Sequence, residues 1–95
     1  MIEVTFSPNQ ITVEGHAGAA PKGEDLVCAA VTMLVYALED MLQMYGEGLE
    51  TELAEGRYVV NGQGNCKAET AIEMFICGVV DLSTHYPEHV KLKFI

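Results

Sequence analysis

A histidine and a cysteine twelve residues apart are the side chains best placed to do chemistry: His16 within Gly15-His16-Ala17-Gly18, and Cys28 at the head of a long apolar stretch. A thiol attacks a carbonyl carbon as its thiolate, and an adjacent imidazole can take the proton. A helix N-terminus and a neighbouring imidazolium both favour the thiolate. A strand ending near His16 and a helix opening near Asp25 would meet at one corner, and the eleven intervening residues are enough to bring the chain back to it. In that arrangement Cys28 is a nucleophile and His16 its general base, the working pair of a cysteine peptidase. The plainer reading of Cys28, among Ala29, Ala30 and Val31, is a small core residue.

Asp25 lies one helical turn before Cys28 and shares its face. It can cap the helix or orient the His16 imidazole. A carboxylate beside the sulfur would oppose thiolate formation, so it receives no activating role. Between the two reactive residues run Ala17, Gly18, Ala19, Ala20, Pro21, Lys22, Gly23 and Glu24. Small side chains let a substrate backbone approach and let a loop move, so this segment reads as a substrate-gating loop or as a plain connector. The N–H of Cys28 with one from this loop could form an oxyanion hole.

Other candidates are weaker. Cys66 and His85 sit at opposite ends of an expected helix, about 30 Å apart for twenty residues, which is too far for a dyad. His85 and His89 have a zinc-like spacing, but Pro87 interrupts the helix that would align them and no CxxC accompanies them, so no metal is expected. Cys77, between Ile76 and Gly78, reads as core; Met33, Met41 and Met44 read as core or dimer filler. Gly62-Gln63-Gly64 lacks the rest of a phosphate loop and reads as a capped turn. Ser83 and Thr84 have no base at a convincing spacing.

Residues 2–6 alternate apolar and polar and predict a strand; Ser7-Pro8-Asn9-Gln10 is a turn, and residues 11–16 alternate again, so a hairpin opens the chain. A helix is expected over 25–45, with Asp25 as N-cap and Gly46 and Gly48 ending it. Leu26, Val27, Ala30, Val31, Leu34, Val35, Leu38, Met41 and Leu42 cover most of its circumference, as in a central helix packed by the sheet on one side and by another helix or a second subunit on the other. Strands over 49–54 and 58–61, a helix over 66–84 capped by Asn65, and a last strand over 90–95 complete the pattern. The order β-β-α-β-β-α-β predicts an α+β sandwich with a mainly antiparallel sheet and a central apolar helix, a single domain over residues 1–95.

The formal net charge of −9, fourteen acids against five bases, argues against nucleic acid, which needs Lys and Arg to displace counterions. It suits a basic peptide substrate or simply solubility. The three cysteines show no paired spacing, as expected in a reducing, cytoplasmic setting. The N-terminus has neither the basic start nor the apolar core of a secretion signal, and the run 26–38 falls short of a membrane span, so no membrane partner is expected. A chain of this size buries a modest core, which a second copy would supplement.

The segment Gly15-His16-Ala17-Gly18, followed by Gly23-Glu24-Asp25-Leu26-Val27-Cys28-Ala29-Ala30-Val31-Thr32, resembles the Prp (YsxB-like) family of ribosomal-processing cysteine proteases. The GHA motif, the Asp ahead of the cysteine and the Cys-Ala-Ala-Val run carry the resemblance, and element order and length agree along the chain. The resemblance implies a cytoplasmic bacterial endopeptidase, homodimeric and without cofactor. Its substrate would be the precursor of the large-subunit ribosomal protein numbered twenty-seven, from which it removes a short N-terminal extension. It further implies His16 as base, Cys28 as nucleophile, residues 17–24 as gating loop and Asp25 as the family's acidic position. Thr32 stands where the family commonly has Ser; both place a hydroxyl one turn after Cys28 as a supporting group. Ribosomal proteins are basic, which agrees with the acidic charge. The competing expectation is a non-catalytic binding or assembly module on the same scaffold.

Overall fold

The computed structural model describes residues 1–15 and 22–95, with the backbone alone over 22–25. The elements are β1 (Ile2–Ser7), β2 (Gln10–Glu14), α1 (Lys22–Tyr45), β3 (Leu49–Ala54), β4 (Arg57–Gly62), α2 (Cys66–His85) and β5 (Val90–Phe94). The five strands form one sheet in the order β3-β4-β2-β1-β5. Only the β1–β5 pair is parallel. This is the expected α+β arrangement.

Strand alternation decides which face of the sheet is covered. Ile2, Val4 and Phe6 of β1, Ile11 and Val13 of β2, and Tyr58 and Val60 of β4 are buried in one core with Val27, Val31, Val35, Leu38 and Leu42 of α1 and Ala68, Phe75 and Val79 of α2. Pairing Ile11 with Val60 and Val13 with Tyr58 keeps these side chains on one face, and a one-residue slip would turn them all to solvent. The other face carries Glu3, Thr5, Thr12, Glu14, Arg57, Lys91 and Lys93. Val59 is the exception: its register with Thr12 and Glu52 puts it on that face, yet it is 3% exposed.

Helix α1 starts at Lys22, three residues before the expected cap. Asp25 is therefore inside the first turn and does not cap the helix, and Lys22, Gly23 and Glu24 are helical, not loop. Acids in the first turn complement the positive end of a helix as well as a cap does, so residue type alone does not separate the two positions. The buried stripe Val27, Val31, Val35, Leu38, Leu42 has helical period and meets the sheet and α2. Leu26, Met33, Met41 and Met44, by contrast, are exposed, so the methionines of α1 do not fill the core of this chain. The segment Leu26–Tyr45 is long and apolar enough to cross a membrane, a length the sequence reading did not reach; its buried stripe belongs to the core described above.

Asn65 caps α2 as expected, its Oδ1 accepting from the Ala68 N–H at 3.0 Å. Gly78 lets α2 approach α1: a Cβ there would stand 2.9 Å from the Leu34 methyls. Cys77 next to it is exposed, against the expectation of a core position; the buried residues of this stretch are Phe75 and Val79, which flank it.

Candidate active site

Cys28 is partly buried and packs against the edge of the core, and the cleft beside it encloses about 340 Å³. Its walls come from four parts of the chain, one of them Ile2 of β1. Helix α1 contributes Cys28, Thr32, Val35 and Tyr36; the end of β2 contributes Val13 and Gly15; and the β3–β4 hairpin contributes residues 53–58. Helical spacing puts Cys28, Thr32 and Val35 on one face of α1, turned toward the hairpin.

The Thr32 Oγ1 donates to the Cys28 carbonyl at 2.8 Å. The hydroxyl is thus bonded to the helix turn that carries the sulfur. Cys28 is the seventh residue of α1, in its second turn. The field of a helix end fades within the first turn, so the early start of α1 removes most of the expected dipole support for a thiolate.

On the opposite wall, Gly15 has φ +100°, and a Cβ on it would run into the Met1 carbonyl. That combination is open to glycine and strained for any other residue. The Gly15 N–H donates to the Gly56 carbonyl at 3.0 Å. The last described residue before His16 is therefore held to the hairpin turn at the cleft. His16 itself, with Ala17, Gly18, Ala19, Ala20 and Pro21, lies outside the described residues, as do the side chains of Lys22, Glu24 and Asp25.

Sequence reasoning missed the hairpin wall. The Glu55-Gly56-Arg57 turn was legible as a turn, but nothing local signals that it faces Cys28 from across the sheet. Tyr58 was likewise read only as a strand residue. It is 1% exposed and lines the cleft from below, and its hydroxyl donates to Glu39 Oε1 at 3.4 Å. Burial, and then the Glu39 carboxylate, hold its phenol well above the ordinary tyrosine range, so it stays a donor at any physiological pH. Among the described residues the charged side chains lining the cleft are Glu55 and Arg57, and Arg57 Nε stands 3.9 Å from Glu14 Oε1 in an exposed pair.

The competing constellations do not assemble. Cys66 and His85 are the two ends of α2, as expected. The His85 Nδ1–H donates to the Asp81 carbonyl at 2.8 Å. Among the described residues no three His, Cys, Asp or Glu side chains are grouped as metal ligands.

The sequence profile of the cysteine protease Prp family matches residues 1–91. The chain is 26% identical over 94 residues to the ribosomal processing cysteine protease Prp of Mycoplasma pneumoniae, covering 98% of this chain and 94% of that one. Among solved structures, SMU.848 from Streptococcus mutans superposes with a TM-score of 0.81 at 28% identity, covering 100% of this chain and 94% of that one. The Prp of S. aureus, an essential ribosomal processing protease solved in complex with a substrate peptide, superposes with a TM-score of 0.87 at 16% identity over 100% of both chains. The chain belongs to the Prp family of cysteine proteases.

Proposed function

We propose that this member of the Prp cysteine protease family removes the N-terminal extension of the ribosomal protein numbered twenty-seven, with Cys28 as nucleophile and His16 as general base. One observation carries the assignment of the pair: Gly15, to which His16 is bonded, lines the same cleft as Cys28. His16 takes the thiol proton; the Cys28 sulfur attacks the scissile carbonyl; the amine leaves with the proton from His16; and water then releases the acyl-enzyme. These groups suffice without a metal or cofactor. In this scheme residues 17–21, ahead of α1, gate the cleft, Asp25 supplies the family's acid ahead of the cysteine, and Thr32 steadies the turn that holds the sulfur.

A precursor peptide rich in Lys and Arg fits the net charge of −9. The ribosomal protease name of the Mycoplasma pneumoniae relative, and the peptide complex of the S. aureus enzyme, support the substrate class. We also assign the working form as a cytoplasmic homodimer. Leu26, Met33 and Met44 of α1 are exposed, and exposed Met41 and Met74 line a groove of about 560 Å³ between α1 and α2; a second copy would cover this apolar area.

The test is incubation of the enzyme with the host's extended ribosomal-protein precursor and mass measurement of the product. A single new N-terminus, absent with Cys28→Ala and His16→Ala variants that remain folded, is the expected result. An untouched precursor, or normal cleavage by Cys28→Ala, would overturn the reading.

A further inference from the structure

The polar groups beneath the cleft form one connected unit. Glu39 lies eleven residues after Cys28 on the same stripe of α1 (28, 32, 35, 39), about 16 Å further along the helix axis. Its Oε2 accepts from Thr51 Oγ1 of β3 at 3.0 Å, and its Oε1 accepts from the Tyr58 hydroxyl of β4 at 3.4 Å. Gln43 Nε2 approaches the same Oε1 at 3.5 Å. One carboxylate thus fastens both strands of the hairpin to the helix that carries Cys28. At its turn the same hairpin holds Gly15 through the Gly56 carbonyl. The wall that carries Cys28 and the wall that carries Gly15 are therefore linked through the hairpin, and Glu39 is a polar anchor of that link.

We infer that Glu39 is a positioning residue for the protease site: by accepting from Thr51 and Tyr58 it fixes the β3–β4 hairpin against α1 and sets the gap between Cys28 and the wall formed by the hairpin turn and Gly15. The inference rests on the Cys28–His16 reading given above. Glu39 is too far along the helix to touch a reacting atom, so it acts through the hairpin. Three of its features point to placement beyond bulk stability. It is shared between two strands rather than bonded to one. Its donors sit on the strands whose connecting turn forms the cleft wall. One donor, Tyr58, lines the cleft itself. Small misplacements of catalytic groups cost far more rate than stability.

The experiment compares wild type, Glu39→Ala, Glu39→Gln and the near-isosteric double variant Thr51→Val/Tyr58→Phe. In each, Cys66 and Cys77 are replaced by Ser, and measurements are made well below the melting temperature. Two readouts are taken: kcat and KM on the precursor, and the rate of Cys28 alkylation by iodoacetamide at neutral pH, which needs no substrate. Glu39→Ala is expected to lower kcat at least about tenfold with a smaller change in KM, and to slow Cys28 alkylation. Glu39→Gln keeps one acceptor oxygen and should recover part of both. The double variant should behave like Glu39→Ala, and it answers the question if Glu39→Ala does not fold. A lower melting temperature with kcat and alkylation rate unchanged would overturn the inference and leave the protease reading intact. Failure of wild type to cleave the precursor would instead strike at the substrate assignment, and the alkylation rates would still decide the role of Glu39.

Discussion

The Gly15 N–H donates to the Gly56 carbonyl at 3.0 Å, so the residue before His16 is tied to the turn that forms the far wall of the Cys28 cleft. This bond joins the end of β2 to a hairpin more than forty residues later in the chain. It converts a local glycine requirement into a long-range constraint on where the chain enters the site.

Replacing Gly15 should therefore disturb both fold and activity. At φ +100°, with the Met1 carbonyl in the way of any Cβ, Gly15→Ala is expected to destabilise by about 1–3 kcal/mol. Urea denaturation checks the stability, and precursor cleavage should fall by more than the folded fraction accounts for. Unchanged stability would mean that the first strand moves freely to admit the methyl.

The Thr32 hydroxyl can be tested through its bond to the Cys28 carbonyl. Thr32→Ser keeps the donor and should retain near-wild-type turnover. Thr32→Val removes it from an exposed site, where the fold should tolerate the loss within about 1 kcal/mol, while kcat drops by several fold. Equal activities for the two variants would reduce Thr32 to an ordinary helix residue.

Tyr58 gives a pH-dependent signature. Its phenol is raised by burial and by Glu39, so the folded state keeps it neutral beyond the pH where the unfolded chain ionises it, about 10. The stability it contributes is whole below that pH and is lost as pH rises from there toward the folded-state value. Tyr58→Phe should cost about 1 kcal/mol at neutral pH for the lost hydrogen bond. The gap between the urea midpoints of the two proteins should then close as pH climbs past about 10. A gap that stays constant would show that the hydroxyl is not held neutral by its surroundings.

Packing of α2 on α1 depends on Gly78. A methyl group there meets Leu34 at 2.9 Å, so Gly78→Ala, which on helix propensity alone should stabilise, is expected to destabilise by about 1–3 kcal/mol. Thermal unfolding of the variant decides which of the two effects wins.

The parts of the fold that could be read from sequence are those set by local periodicity. Ile2, Val4 and Phe6 alternate with polar residues and do face the core, and Asn65 does cap α2. Less legible were features fixed across the chain. Cys77 looks like core because its neighbours are apolar, but helix phase puts Phe75 and Val79 inward and Cys77 outward. The start of α1 was misplaced because Asp25 suits a cap and a first turn equally. At the site, Cys28 stood out by residue type and by its place at the head of an apolar helix, and Thr32 entered only through the family resemblance. The hairpin wall and the Glu39 anchor could not, because only sheet register brings Tyr58 and Thr51 beneath α1.

Cys28 as an activated nucleophile is the claim on which the rest depends, and competitive alkylation tests it most directly. The protein is treated at neutral pH with limiting iodoacetamide, and each cysteine is quantified by peptide mass. Cys66 and Cys77 are exposed and Cys28 is half-buried, so access alone would favour the first two. Preferential labelling of Cys28, abolished in His16→Ala, is the expected result. Labelling that follows exposure, with Cys28 slowest and indifferent to His16, would contradict it.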